Sequence, residues 1–356
     1  MRVRRVLMVC VGGLLAGRMA LLGQSPANSV ATQDGATGST ASVTPAPSAR
    51  LKPETEEALL LGEKALNGKH YEEAAKEFKR GIKIESDQCS RCYVRLAETQ
   101  MDLRDEKGAL NSSEKAIAVA TSDAERADAH AAKALTLIHT GNAKLLKNAE
   151  SEYRMAMQLA PKDAGNYLGL AVALMKQSRD AEGQEQLTAF LKMQSSGQAA
   201  DYARKLQTNP RRAREEFAPD FQVTTLEGQT FSSTDFRGKV LVMDFWATWC
   251  PPCRASVPEI KELTKKYPND KLVVLSVSAD KDDAQWRDFV EKKKMDWLQY
   301  RDEDGHVLRA LGVHAFPTYV VIDSEGVIRE RIVGENPQQS ISGKLKDKLQ
   351  KMLPQG

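Results

Sequence analysis

The stretch that most constrains this chain is VLVMDFWATWCPPCRASVP, residues 240–258. Val240 to Trp246 is a continuous apolar run interrupted only by Asp244. A strand of that kind is buried on both faces, so helices must cover both sides of its sheet. A Cys-Pro-Pro-Cys sequence follows at once, at the start of the next helix. Unsatisfied backbone N–H groups at a helix N-terminus stabilise a thiolate, and the thiolate is the reactive form of cysteine. Cys250 is therefore expected as the exposed attacking sulfur, with Cys253, one turn in, placed to resolve a mixed disulfide. Pro251 suits the first helical turn, where its missing N–H is no loss, and Pro258 should kink the helix further in.

Asp244 lies six residues before Cys250. A carboxyl buried in that strand would have a raised pKa and could exchange a proton with Cys253; the alternative is a hydrogen-bonded structural Asp at the strand end. Phe316-Pro317-Thr318 opens a later strand, where either a cis X–Pro bond or a trans proline fits.

The surrounding pattern agrees with an α/β layer. FQVTTLEGQTF reads as a hairpin around Glu227-Gly228, and the helix after Cys250 runs to about Lys266. Next come strand KLVVLSVS, helix DAQWRDFVEKKK, strand TYVVID, a turn at Ser324-Glu325-Gly326, strand VIRERIVG and a terminal helix. That order predicts a mixed sheet.

Residues 54–208 are different: their apolar pattern is helical, and it repeats. Aligning Ala58, Tyr93, His130 and Tyr167 brings the small residues Ala74, Ala109, Ala149 and Gly183 into one column. Phe78, Ser113, Tyr153 and Leu187 form a second column, and Gly81, Ala116, Ala156 and Phe190 a third, at spacings of 34 to 40 residues. Small residues let paired helices approach closely while bulky ones fill between them, and each unit needs neighbours to bury its face. The alternative is a non-repetitive helical bundle. Ser113 and Lys133 stand where an apolar residue is usual, and Ala199 to Gln207 reads as a capping helix.

Both regions carry family resemblances. LGEKALNGKHYEEAAKEFKRGI and its weaker echoes resemble the tetratricopeptide repeat, implying about four helix-turn-helix units plus a cap. From the APDF lead-in at 218–221 through GKVLVMDFWATWCPPCR and Pro258 to FPTYVVID and its Gly hairpin, the chain resembles the thioredoxin fold. Its nearest likeness is the TlpA/ResA branch of exported, membrane-tethered thiol–disulfide oxidoreductases. The resemblance covers about 140 residues and implies that Pro317 is a cis proline facing the dithiol, with adjoining backbone positioning the substrate strand. Trp249, Pro251 and Phe316 are then expected on the substrate side.

Two positions depart from that branch. Ser256 stands where many relatives carry Glu, which puts proton transfer and potential in question. Asp244 stands where many have Asn; its Asp matches thioredoxin itself, suggesting that the proton-handling group sits on the strand. With Pro-Pro and no His between the cysteines, a reductant or isomerase is favoured over an oxidase. The resemblance also implies a disulfide-bearing protein substrate and a membrane thiol donor for recycling. The repeats add a groove for a peptide or protein ligand, and no cofactor is expected.

The N-terminus reads as export: Arg2, Arg4 and Arg5 precede an apolar run from Val6 to Ala16, too short for a clean membrane span. The cleavage site is weakly marked, leaving two readings of residues 1–23, a signal peptide or an N-terminal membrane tether. Residues 24–53, rich in Ser, Thr, Ala, Gly and Pro, read as a flexible linker. The expected product is thus multi-domain, with all-α repeats over 54–208 followed by a thioredoxin fold over 209–356, in the periplasm or another extracytoplasmic space.

Four cysteines remain after the leader, in two CxxC pairs. Cys89 and Cys92 have neither the apolar strand nor the downstream proline of the other pair, and no following His for haem attachment. A local disulfide clamp, a redox pair communicating with Cys250/Cys253, and free or metal-bound thiols all remain open. The scattered histidines form no ligand pattern, so no metal is assigned. A net charge of +3, without a basic face interleaved with aromatics, excludes nucleic acid as a partner class. Two other functions compete. One is a repeat-based scaffold with a structural or vestigial dithiol. The other is a thioredoxin-fold peroxidase, disfavoured because Trp246 and Ala247 replace the Pro and the Thr or Ser its cysteine needs.

Overall fold

The computed structural model describes residues 51–334 and 341–353. The expected leader (1–23) and nearly all of the expected linker lie outside them. The chain divides into two compact units, one ending at Arg214 and the other beginning at Glu215.

The first unit contains helices α1 (Pro53–Asn67), α2 (Tyr71–Ile84), α3 (Ser90–Asp102), α4 (Glu106–Val119), α5 (Asp123–His139), α6 (Leu146–Leu159), α7 (Ala164–Lys176), α8 (Asp180–Met193) and α9 (Gln198–Thr208). They pack as successive hairpins, α1 with α2, α3 with α4, α5 with α6 and α7 with α8, and each second helix also packs on the next hairpin. Side-chain caps begin several of them: Asp105 accepts from Gly108 N at 2.9 Å, Ser122 from Glu125 N at 3.2 Å, and Asp163 from Gly165 N at 2.9 Å.

The aligned columns are buried in every hairpin. Gly62 of α1 shows how closely the helices of a hairpin approach: a Cβ there would run into the Phe78 ring, so the α2 ring occupies the space the α1 side chain gives up. The two departures are accommodated by polar partners. Ser113 donates from its hydroxyl to Leu110 O at 2.8 Å, and Lys133 pairs with Glu152 at 3.0 Å.

Cys89 is the N-cap of α3, and Cys89 and Cys92 form a disulfide. Both sulfur-bearing residues are 0% exposed, packed with Phe78 and Ile82 of α2. A Cβ on Gly81 would approach Cys92 Sγ to 2.9 Å, so α2 covers the bond closely. The disulfide that a local clamp requires is present, and it lies beneath α2. Replacing both cysteines by Ala is expected to lower stability by roughly 2 kcal/mol, the loop-closure entropy of so short a ring, which a urea titration of the first unit would register. An unchanged midpoint would remove the clamp role.

The second unit begins with a hairpin, β1 (Gln222–Thr224) and β2 (Thr230–Ser232), around the expected turn. Then come β3 (Val240–Trp246), α10 (Pro251–Lys266), β4 (Leu272–Ser278), α11 (Asp283–Lys293), β5 (Leu298–Arg301), α12 (His306–Ala310), β6 (Thr318–Ile322), β7 (Ile328–Val333) and α13 (Ile341–Met352). The five-stranded sheet has the order β5-β4-β3-β6-β7, with β6 antiparallel to β3 and β4 parallel to it. This is the thioredoxin fold. Strand β3 is central and buried throughout, as its unbroken apolar run requires.

One face of β3 packs Leu241, Met243 and Phe245 with Val307 and Leu311 of the α12 segment. The other carries Val240 and Val242 against Ile260 and Leu263 of α10 and Leu345 and Leu349 of α13. Sequence reading did not identify β5 or α12. Four residues, LQYR, carry too little periodicity to announce a strand.

Candidate active site

Cys250 is the N-cap of α10, and its sulfur accepts from the Cys253 N–H at 3.3 Å. Pro251 follows at the first helical position, where it is exposed and forfeits no hydrogen bond. The helix continues through Pro258 to Lys266. Cys250 and Cys253 are joined as a disulfide.

The expectation of an exposed attacking sulfur needs correction, because Cys250 is only 4% exposed. It packs in an apolar cluster with Trp246, Ala247, Val257 and Trp286, and Phe316 leans on that cluster from the β6 side. The exposed group is its neighbour Trp249, at 61%, which meets Phe316 edge-on at 5.8 Å between ring centroids. The Phe316–Pro317 bond is cis, Pro317 is buried, and its carbonyl accepts from Gly334 N at 2.8 Å. Trp249 and Phe316 are thus brought together beside Cys250, and Pro317 follows Phe316 immediately before β6.

Asp244 is 5% exposed and hydrogen-bonded. Its Oδ2 accepts from Ser276 Oγ at 2.8 Å, and Ser276 Oγ in turn accepts from Trp297 Nε1 at 2.8 Å. Burial raises the carboxyl to about 7, against the smaller opposing effect of the Ser276 hydrogen bond. The group is therefore poised to gain and lose a proton near neutrality. Tyr319, directly opposite Asp244 in the β3–β6 register, donates to Ser256 Oγ at 2.9 Å. Ser256 donates in turn to Cys253 O at 2.8 Å. At the position where a Glu was considered, the chain has a hydroxyl engaged with helix backbone and with Tyr319.

Sequence reading missed Asp280. This buried carboxylate accepts from Thr248 N at 2.9 Å, Thr248 Oγ at 2.7 Å and Ser278 Oγ at 2.6 Å. It ties the Ala247–Trp249 turn to the end of β4 and so fixes the approach to Cys250. The available signal was a lone acidic residue just past a buried strand, SVSAD. Ser276 and Trp297 were missed because a single polar atom on a strand has no pattern.

His314 is exposed. Among the described residues, one group has donor atoms close enough for a cation: Asp302, Asp304 and His306, within 4.8 Å of one another. His306 Nδ1 lies 2.8 Å from Asp304 and 3.2 Å from Asp302, so the three already satisfy one another. Burial works against the imidazolium, but the two carboxylates outweigh it and raise the His306 pKa. The cluster lies outside the dithiol site described above.

The Redoxin family model matches residues 213–348. The thiol–disulfide oxidoreductase ResA of Bacillus thuringiensis subsp. konkukian (strain 97-27) is 33% identical over 129 residues, covering 36% of this chain and 75% of ResA. The thioredoxin-like protein YneN of Bacillus subtilis (strain 168) is 37% identical over 131 residues, 36% of this chain and 76% of YneN. Among solved structures, a thiol–disulfide oxidoreductase from Bacteroides fragilis NCTC 9343 is 28% identical with a TM-score of 0.34, covering 38% of this chain and 100% of that one.

Proposed function

This chain belongs to the ResA family of thiol–disulfide oxidoreductases, and from that premise we propose that it reduces or isomerises disulfides of protein substrates outside the cytoplasm. The observation that carries the proposal is Cys250 capping α10, with Cys253 one turn on and a protonatable Asp244 on the strand beneath.

In the reductive direction the Cys250 thiolate attacks one sulfur of the substrate disulfide. A bond forms between Cys250 and that sulfur while the substrate's own S–S bond breaks, and the departing thiolate takes a proton from water. Asp244 accepts the Cys253 proton, and the Cys253 thiolate then attacks Cys250 Sγ. The protein disulfide forms and the second substrate thiolate leaves, to be protonated in turn. Two electrons pass to the substrate and two protons with them.

Pro317 and its neighbouring backbone position the substrate strand, while Trp249, Phe316 and Pro251 give it an apolar ledge. A thiol donor at the membrane returns Cys250/Cys253 to the dithiol. The hairpin array, a tetratricopeptide repeat in this reading, recruits a substrate or partner through a peptide or protein segment. Residues 1–23 direct export, by a cleaved signal or as a tether.

The test uses the full chain with Cys253→Ser, which removes the resolving thiol. Covalent adducts should accumulate on Cys250 in cells and dissolve on adding a thiol reductant; their absence would leave the scaffold reading with its vestigial dithiol.

A further inference from the structure

On the sheet face covered by α10 and α13, one row running across the strands is polar. Asp244 of β3 stands opposite Tyr319 of β6 on one side and Ser276 of β4 on the other, and Ser276 stands opposite Gln299 of β5. Paired strands lie about 4.8 Å apart, so these four side chains are neighbours on one face. One step along, the row of Val242, Val274 and Val321 is wholly apolar.

Three members of the polar row have protein partners. Tyr319 reaches Ser256, Ser276 reaches Asp244, and Ser276 receives Trp297. Gln299 is the exception. It is 0% exposed, and both its amide oxygen and its amide nitrogen are without a hydrogen-bond partner. An amide taken out of water without replacement hydrogen bonds is costly, and proteins ordinarily satisfy such groups with an ordered internal water. The main chain of Gln299 is already engaged, since its carbonyl accepts from Leu226 N at 2.8 Å.

We propose that the Gln299 amide holds a buried water beside the Ser276–Asp244 pair, making Gln299 a positioning residue for the release of the Asp244 proton. The proposal rests on the thiol-exchange reading above, which leaves Asp244 as a neutral acid after it takes the Cys253 proton. To act again it must lose that proton. The O–H bond of the carboxyl breaks as its proton passes to Ser276 Oγ, the Ser276 hydroxyl gives its own proton to the water and so to bulk solvent, and the carboxylate keeps the electron pair. Strand β5 is the edge of the sheet, and the turn after β1 closes over that edge through the Leu226 N–H.

Among the described residues, β4 contributes Ser276, hydrogen-bonded to Asp244, and β6 contributes Tyr319, opposite it in register and bonded to Ser256 of α10. Leu345 and Leu349 of α13 pack in the cluster that holds Val242 and Tyr319, and Trp286 of α11, whose indole nitrogen has no partner, packs in the one that holds Trp246 and Cys253. Arg301, the cation nearest in register on β5, is held by Asp283 and Glu303. No described charge stands between Asp244 and the Gln299 amide along the row.

The test is a carboxyl 13C NMR titration of Asp244 in the full-length chain, wild type and Gln299→Met, together with the pH profile of disulfide reduction. Methionine keeps the volume and removes both amide partners. Loss of the water should move the Asp244 midpoint up by about one pH unit. That leaves roughly fivefold less carboxylate near pH 7, with activity lowered there and recovered at higher pH. An unmoved midpoint in a folded Gln299→Met chain would overturn the proposal. A second arm needs no variant: a crystal structure of the wild-type chain should show a water on the Gln299 amide, and a dry amide would equally overturn it. Failure of the thiol-exchange reading looks different, because disulfide reduction would then be absent at every pH while the Asp244 titration remained measurable.

Discussion

Cys250→Ser in the full-length chain should abolish disulfide reduction, by roughly a thousandfold or more, at every pH. The size of the effect follows from the chemistry. A serine hydroxyl stays protonated throughout the working range, and an alkoxide, unlike a thiolate, does not exchange with disulfide sulfur. The structure makes the substitution clean. Serine is a good N-cap, so α10 keeps an acceptor for the Cys253 N–H. The turn before it remains held by Asp280 through Thr248. The variant should therefore fold with unchanged circular dichroism and lose turnover alone, measured with insulin or a similar model disulfide. Activity that survived would locate the chemistry elsewhere, and Cys89/Cys92, buried beneath α2, would be a poor substitute.

The second large effect is one of stability. Asp244→Asn should make the second unit more stable at pH 8 by roughly 3–4 kcal/mol while slowing thiol exchange near neutrality. The sign follows from proton counting. The folded carboxyl titrates at about 7 and the unfolded one near 4, so between those values the folded state holds a proton that the unfolded state has released. Stability is complete below about pH 4. It falls by about 1.4 kcal/mol per pH unit as the pH rises and levels off above about 7. Over some three units the loss approaches 4 kcal/mol, from which the altered Ser276 hydrogen bond subtracts about 1. Asparagine escapes that slope because it never ionises. Urea titrations followed by the tryptophans of the second unit should show wild type and variant converging near pH 4 and diverging by pH 8. Parallel curves would mean that Asp244 is not the buried acid described above.

Much of the site was legible because its parts are local. The apolar run into Cys-Pro-Pro-Cys fixes a buried strand, a turn and a helix N-terminus within a few residues of sequence, and the three appear where they were expected. Asp244 declared itself as the only charge in that run. The exposure of Cys250 did not follow from the same local logic. It depends on Phe316 and Trp286, which arrive from remote segments to close over the sulfur. Asp280, Ser276 and Gln299 were invisible for a related reason. Their meaning lies in which strand each one stands beside, and register between strands is a tertiary property. The hairpin array shows the opposite case. Its columns of small and bulky residues stay buried even where Ser113 interrupts one, and a close approach of glycine to ring recurs between Gly62 and Phe78 and between Gly169 and Tyr153.

The two disulfides share one local device, a cysteine that caps a helix and accepts the N–H of its partner. They differ in surroundings: Cys89 and Cys92 are 0% exposed and lie under α2, whereas Cys250 keeps 4% exposure beside the exposed Trp249. If the second pair alone exchanges in the folded chain, two electrons pass to or from its surroundings, although its four paired sulfurs could take up four. The other two would then become available when the first unit opens. A chain that unfolds among strong reductants would come back without its staple, and would need an oxidant as well as time to recover the state it left. Its folding history would then be written in its thiols.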